Sequence, residues 1–152
     1  MRPRVIGIGQ PAAGDDGVGI AVLRYLRAQA GLSGADLVEA AEPSALIPWL
    51  EGADPVILVD AVLGGGAPGT VLRLTPESAA ASAVQPLSTH GMGVVQAVEL
   101  ARALAPEAVA TRIWIVGVCI AQPERYAHAL SPAVEQAVPH AATLVVELLG
   151  GE

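Results

Sequence analysis

Several residue types are missing or scarce in this 152-residue chain. It has no lysine, asparagine or phenylalanine, all eight of its basic residues are arginine, and aromatic residues make up only 3%. Because 53% of the chain is nevertheless hydrophobic, the core must be built from Ala, Val, Leu and Ile. Such a core is typical of a sheet that helices cover on both faces. The formal net charge of −7 disfavours nucleic acid and anionic membranes as partners.

The chain has a single cysteine, Cys119, which excludes an internal disulfide and a CxxC metal site. The apolar run near the N-terminus is too short for the core of a signal peptide. No segment reaches the roughly 20 apolar residues of a membrane span. We therefore predict a cytoplasmic protein without membrane insertion, folded as one domain over residues 1–152.

Short apolar runs alternate with segments of helical periodicity along the chain. The predicted strands are 5–9, 35–40, 55–60, 70–75 and 112–118. The predicted helices are 17–30, 44–51, 92–104 and a last helix that starts at Ser131–Pro132. Pro139 should kink or restart this last helix. Residues 80–91 are predicted as a loop. The alternating strand 70–75 should pair antiparallel. The fold class predicted is α/β, a three-layer α/β/α sandwich with a mixed sheet of about five strands, one of them antiparallel.

Three polar residues fall at the carboxyl ends of strands or just before a helix, where such a sheet places its ligand site. Asp16, beside Asp15 in GQPAAGDDGVG, follows the first strand. Asp60 closes the apolar strand PVILVD, and His90 lies in STHGMG ahead of a helix. One imidazole and two carboxylates form a mixed N/O ligand set that suits a borderline divalent metal with open positions. The ligand types leave the identity of the metal open.

Each of these residues also has an ordinary structural interpretation. Either Asp15 or Asp16 should cap the helix that begins near Gly17, which leaves the other carboxylate free to point into the crevice. Asp60 could simply close a turn, and a lone histidine in a loop is often a surface residue. Taken together, the three residues favour a cation site, because an acidic pair at a helix start repels the phosphate that such loops commonly bind.

Segments over nearly the whole chain resemble the hydrogenase maturation proteases, peptidase family M52. They are VIGIGQPAAGDDGVGIAVLRYL, VILVDAVLGGGAPGTVLRL, STHGMGVVQAVELARAL, and IVGVCIAQPE with LSPAVEQAVPHAATLVVELL. These endopeptidases trim the C-terminus of the [NiFe]-hydrogenase large subunit. The resemblance implies an α/β/α sandwich with a mixed five-stranded sheet.

The resemblance also implies roles for single residues. Asp16 in DDG, Asp60 in VDA and His90 in HGMG are similar to the family's nickel-binding positions, and would be both metal ligands and catalytic residues. The implied partner is the [NiFe]-hydrogenase large-subunit precursor. The implied cofactor is nickel that the precursor already carries, so that metal loading licenses cleavage and the free enzyme is empty or loosely loaded. Gln10 stands where the family usually has Asn, and we expect its amide to keep a turn-stabilising role.

The predicted chemistry is metal-assisted peptide hydrolysis, with nickel polarising the scissile carbonyl or activating a bound water. Asp15 is either a general base or only a helix cap. Cys119 should be buried and inert, since no Arg or His adjoins it. Trp49 should be a packing residue, although it could also line a groove for the precursor tail.

Two other classes of function stay open at this point. The chain could be a non-proteolytic scaffold that binds the nickel site or the precursor. It could also be a Rossmann-like nucleotide-binding module. In that module Gly7, Gly9 and Gly14 would form the glycine loop, and Glu39 or Glu42 would bind the ribose.

Overall fold

The computed structural model describes residues 1–29, 34–82, 85–86, 92–121 and 129–151. The strands are β1 (Arg4–Ile8), β2 (Asp36–Ala40), β3 (Val56–Leu63), β4 (Val71–Leu74), β5 (Gln85–Pro86) and β6 (Ile113–Cys119). The α-helices are α1 (Val18–Ala28), α2 (Pro76–Ala81), α3 (Val94–Leu104) and α4 (Pro132–Leu149). Two 3-10 helices, Gly14–Gly17 and Pro43–Leu50, lie after β1 and after β2.

The sheet has the order β2-β1-β3-β6-β4. Strands β2, β1, β3 and β6 are parallel, and β4 pairs antiparallel with β6 at one edge. The prediction of a mixed sheet of about five strands is therefore confirmed, but β5 adds a sixth strand and a second antiparallel pairing to the one that we predicted. The short strand β5, which pairs antiparallel with the end of β3, was predicted as loop. Two residues are too few to produce a detectable periodicity.

Strand β3 shows how the sheet is buried on both faces. Successive side chains of a strand point to opposite sides. Ile57 and Val59 lie in a core cluster with residues of α1 and α4, whereas Val56 and Leu58 lie in a second cluster with residues of α3 and of the 3-10 helix Pro43–Leu50. The two clusters are the two interfaces of an α/β/α sandwich, as predicted.

We predicted a kink or a restart at Pro139; helix α4 runs from Pro132 to Leu149 as one element, which excludes the restart. Proline inside a helix removes one backbone hydrogen bond and crowds the preceding turn. Here Val138 and Ala142 on either side of Pro139 are buried in the same core cluster. Burial of one continuous helical face therefore outweighs the local cost of the proline.

Helix α2 was not predicted, although its start carries a clear signal. Thr75 Oγ1 accepts the backbone N–H of Ser78 at 3.0 Å, and Ser78 Oγ accepts the backbone N–H of Thr75 at 2.8 Å. This reciprocal pair is a capping box, and Pro76 occupies the first helical position, where proline is favoured. The helix is only six residues long, which explains why periodicity did not reveal it.

Candidate active site

Asp60 lies inside β3, at a change in the neighbours of that strand. On one side β3 pairs with β6 from Val56 to Val62. On the other side it pairs with β1 only as far as Val59, and β5 takes over at Val62. The strand therefore continues past Asp60, where we predicted its end, because β5 and β6 extend the ladder. Asp60 occupies the first position beyond the reach of β1.

The loop after β1 carries Asp16 and packs tightly against the sheet. A Cβ atom at Gly9, whose φ is +139°, would overlap the backbone oxygen of Asp16. A Cβ at Gly19, near the start of α1, would overlap the carbonyl oxygens of Val59 and Ile8. Glycine at these two positions thus allows the loop and helix to approach the strands closely, which is a packing requirement and not a phosphate cradle.

Asp16 and Asp60 form a buried, electrostatically coupled pair. The exposed fractions of these residues are 8% and 1%. Asp16 Oδ2 accepts the backbone N–H of Gln10 at 3.1 Å, and Asp60 Oδ1 accepts the backbone N–H of Ala61 at 2.9 Å. Asp60 Oδ2 is buried and has no hydrogen-bond partner within the part of the chain that the structure describes. A buried carboxylate oxygen in that condition requires either a bound proton or a cation.

Burial raises the pKa of both carboxyl groups. The pKa of Asp60 lies well above its ordinary value because the group is desolvated; the N–H of Ala61 acts against this shift, and the negative charge of Asp16 adds to it. Desolvation likewise raises the pKa of Asp16, opposed by the N–H of Gln10. Two neighbouring carboxyl groups with raised pKa values favour a bound proton in the absence of a cation.

The third predicted ligand, His90, lies outside the described residues. In the described ranges, no group of three or more His, Cys, Asp or Glu residues could hold a metal ion. The structure thus brings together two of the three predicted site residues. Strand β5, which precedes His90 in the chain, pairs with Val62 and Leu63 just beyond Asp60, and Met92 after it packs against the core cluster of α3.

We predicted that Asp15 or Asp16 caps the helix that follows them, and this prediction is wrong. Neither the 3-10 helix Gly14–Gly17 nor α1 has a side-chain cap among the described residues. Instead, Asp15 Oδ1 accepts the backbone N–H of Ser131 at 2.7 Å and Asp15 Oδ2 accepts its hydroxyl at 2.9 Å. Ser131 is the N-cap residue of α4, so Asp15 serves a distant helix. The two residues are 116 positions apart, and no local sequence pattern signals their contact.

The Gln10 side chain has the role we expected. Its Nε2 donates to the carbonyl oxygen of Ala41 at 3.2 Å, which joins the ends of β1 and β2. Glu39, a candidate ribose ligand in the nucleotide-binding alternative, is instead paired with Arg27 at 3.1 Å and Arg24 at 3.4 Å.

Cys119 is buried, and burial raises the pKa of its thiol, as expected for an inert cysteine. Trp49 lies under the guanidinium of Arg4, with 5.3 Å between the Arg4 Cζ atom and the ring centroid. Arg4 begins β1, so Trp49 lies at the amino end of that strand, opposite to the end that carries Asp16. Trp49 is 42% exposed, so it stacks on Arg4 at the surface and is not the packing residue that we predicted.

Comparisons with known proteins identify the family. The family model described as hydrogenase maturation protease (HycI) matches residues 20–148. Protein FrxA of Pyrococcus furiosus is 32% identical over 137 residues, which cover 90% of this chain and 96% of FrxA. The chain therefore belongs to the hydrogenase maturation protease family, and it is a peptidase of that family. The match to the family model includes Asp60 and His90 and begins after Asp16.

Solved structures confirm the fold. The hydrogenase maturating endopeptidase HybD from E. coli has a TM-score of 0.82 at 22% identity, over 99% of this chain and 93% of that one. The [NiFe] hydrogenase maturation protease HybD from Thermococcus kodakarensis has a TM-score of 0.76 at 23% identity, over 98% and 99% of the two chains. Within the described residues, none of the helices has the length and apolar character needed to cross a membrane.

Proposed function

We propose that this chain is the nickel-dependent endopeptidase that removes the C-terminal extension of the [NiFe]-hydrogenase large-subunit precursor after nickel insertion. Asp16, Asp60 and His90 are the proposed metal ligands and catalytic residues. The observation that carries the proposal is the pair of buried carboxylates, Asp16 and Asp60, with the unpartnered Oδ2 of Asp60. The family to which the chain belongs supplies the reaction class.

The chemistry of the two carboxyl groups supports a divalent cation as their occupant. Burying an ionised carboxylate is unfavourable unless the charge is paired or coordinates a metal. One oxygen of Asp60 accepts the N–H of Ala61, and the other has no hydrogen-bond partner among the described residues. The charged group that acts on Asp60 is a second carboxylate, Asp16, which adds negative charge. A cation brought by the precursor would supply the missing positive charge.

A nickel ion carried by the precursor would polarise the scissile carbonyl or lower the pKa of a water bound to it. The chain's own residues would bind this ion and orient it. Asp60 is fixed within β3, and Asp16 is held against the end of β1 by the N–H of Gln10. Both carboxyl groups must be ionised to ligate the ion, so metal binding is coupled to the ionisation of a pair whose pKa values are raised.

The test is incubation of the purified chain with the nickel-loaded large-subunit precursor of the same genome, read by intact mass. A nickel-free precursor is the matched control. We expect loss of a short C-terminal peptide only from the loaded precursor. Cleavage of both forms would contradict the nickel requirement while leaving the peptidase activity in place.

The same experiment addresses the alternative of a non-proteolytic scaffold. A scaffold would co-migrate with the loaded precursor and leave its mass unchanged. Repeating the incubation with a panel of other large-subunit precursors separates a scaffold from a protease that was given the wrong partner. Cleavage of any one of them would exclude the scaffold.

A further inference from the structure

The strongest unassigned feature of the site is the contact between Asp15 and Ser131. Both oxygens of the Asp15 carboxylate accept hydrogen bonds from one residue, at 2.7 Å from its backbone nitrogen and 2.9 Å from its hydroxyl oxygen. Bonds to an ionised acceptor are among the stronger hydrogen bonds in proteins. This contact, which we call the Asp15–Ser131 clamp, joins the loop after β1 to the N-cap residue of α4.

The clamp acts on the residue next to Asp15. Asp15 and Asp16 are consecutive within the 3-10 helix Gly14–Gly17, so the position of one backbone determines that of the other. Asp16 is held from the β1 side by the N–H of Gln10. The clamp holds the same helical turn from the α4 side. The loop is thereby fixed by two contacts, one made by the Asp16 carboxylate and one by the Asp15 carboxylate next to it.

The hydrogen bonds direct the Asp15 carboxylate toward the start of α4. Each Asp15 oxygen accepts a hydrogen bond from Ser131. The hydroxyl of Ser131 donates its proton to Asp15, and it makes no cap bond to α4. These contacts are those of a residue that holds two elements together.

We propose that Asp15 is a positioning residue for the peptidase reaction, which acts through Ser131 to hold Asp16 in the orientation that ligates the metal. The inference rests on the proposed function of Asp16 as a ligand. Residues that orient metal ligands typically contribute about 10–100-fold in metal affinity or activity. An ordinary stabilising contact would change the melting temperature and leave the reaction rate of the folded enzyme intact.

The test combines a double-mutant cycle with a rescue variant. Asp15→Ala, Ser131→Ala, the double variant and Ser131→Thr are compared in single-turnover processing of the nickel-loaded precursor and in calorimetric titration of the free protease with Ni²⁺. Thermal unfolding of each variant shows that it is folded. Ser131→Ala keeps the backbone N–H and removes one of the two bonds, so it remains informative if Asp15→Ala does not fold.

Glu135→Gln is the matched control. Asp15→Ala removes an acidic charge that contacts the N-cap of α4, and Glu135→Gln removes one from the first turn of the same helix. Glu135 is exposed and lies outside the clamp. A loss of helix stabilisation alone would affect this variant in the same way as Asp15→Ala.

We expect Asp15→Ala to slow processing by about 10–100-fold and to weaken Ni²⁺ binding by a similar factor. Ser131→Ala should give a smaller loss, the double variant no more than Asp15→Ala alone, and Ser131→Thr and Glu135→Gln wild-type behaviour. Additive losses, or equal losses in Asp15→Ala and Glu135→Gln, would overturn the proposal. A wild-type chain that leaves every precursor uncut would refute the proposed function, and the Ni²⁺ titrations would then decide on the clamp by themselves.

Discussion

Replacing Asp60 with asparagine should make the free protein more stable and the enzyme inactive. Asparagine has nearly the shape of aspartate, and its carbonyl oxygen can still accept the N–H of Ala61, which is 2.9 Å from Asp60 Oδ1. The substitution removes a group that must either ionise without a compensating partner in the described part of the chain or hold a proton against its ordinary pKa. We therefore expect opposite effects on stability and on function, which is typical of a residue retained for binding.

The magnitude follows from the ionisable character of the group and not from the missing hydrogen bond, because the asparagine amide nitrogen takes the position of the unpartnered Oδ2. The desolvation penalty of a buried polar group is about 1–3 kcal/mol, and more if the group is charged. A gain of about 2 kcal/mol in the free energy of unfolding corresponds to an increase in Tm of about 4–8 °C for a chain of this length. Thermal unfolding of the metal-free proteins, followed by circular dichroism at neutral pH, measures this difference.

The pH dependence provides a second check on the same variant. In the unfolded chain Asp60 ionises near its ordinary pKa of 3.8, whereas burial raises the pKa of the folded group well above that value. Below the ordinary value both states are protonated, so the cost is absent. As the pH rises above it, the wild-type protein loses stability relative to Asp60→Asn, and the difference in Tm should widen.

Asp54→Asn is the control variant, and we expect it to change the stability in the opposite direction. Burial tends to raise the pKa of Asp54, but hydrogen bonds from Thr111 and Arg112 outweigh this and lower it. Asp54 Oδ2 accepts the Thr111 hydroxyl at 2.6 Å and its backbone N–H at 3.0 Å. This variant should therefore be less stable than wild type at neutral pH, and the loss should fade as the pH falls through the lowered pKa. An Asp60→Asn protein that unfolds at or below the wild-type Tm at neutral pH would refute our reasoning about the buried charge.

Three further outcomes follow from the site and its packing. Asp16→Asn and His90→Ala should each abolish processing of the nickel-loaded precursor while circular dichroism shows an intact fold; normal processing by either would contradict the ligand assignment. Because burial raises the pKa values of the acidic pair, Ni²⁺ affinity in calorimetric titrations should fall as the pH is lowered; an affinity that does not change with pH would argue against this. Gly19→Ala should destabilise the fold by about 1–3 kcal/mol in urea unfolding, since its Cβ would overlap two backbone oxygens. Gly34→Ala, with open space around the added atom, should change stability little, and equal effects at the two glycines would count against the packing argument.

The sequence predicted the parts of the fold that depend on local patterns. The apolar run of β3, the alternation of β4 and the periodicity of α3 each indicated the correct element. Their ends were less well predicted, because strand ends depend on partners. Asp60 was placed at the end of its strand, whereas pairing with β5 and β6 carries β3 on to Leu63.

The candidate site shows the same division between local and distant information. Asp16 and Asp60 could be identified because each follows or ends an apolar strand whose carboxyl end faces the ligand crevice. Their raised pKa values could not, since desolvation depends on the packing of the whole sandwich. The partner of Asp15 was missed for a similar reason. A local pattern favoured the nearest helix, whereas the structure joins Asp15 to the start of α4.

The attachments of the loop after β1 have a consequence for protein engineering. The loop is tied to the turn after β2 through Gln10 and Ala41, and to α4 through the Asp15–Ser131 clamp. Where the loop leads into α1, Gly19 lies so close to the strands that only glycine fits there. Transplanting residues 9–19 onto another parallel sheet would carry the Asp16 carboxylate but none of these attachments. A graft that keeps the loop in place would need the turn after β2, the N-cap residue of α4 and the matching strand surface as well, so the motif is transferable only together with its surrounding architecture.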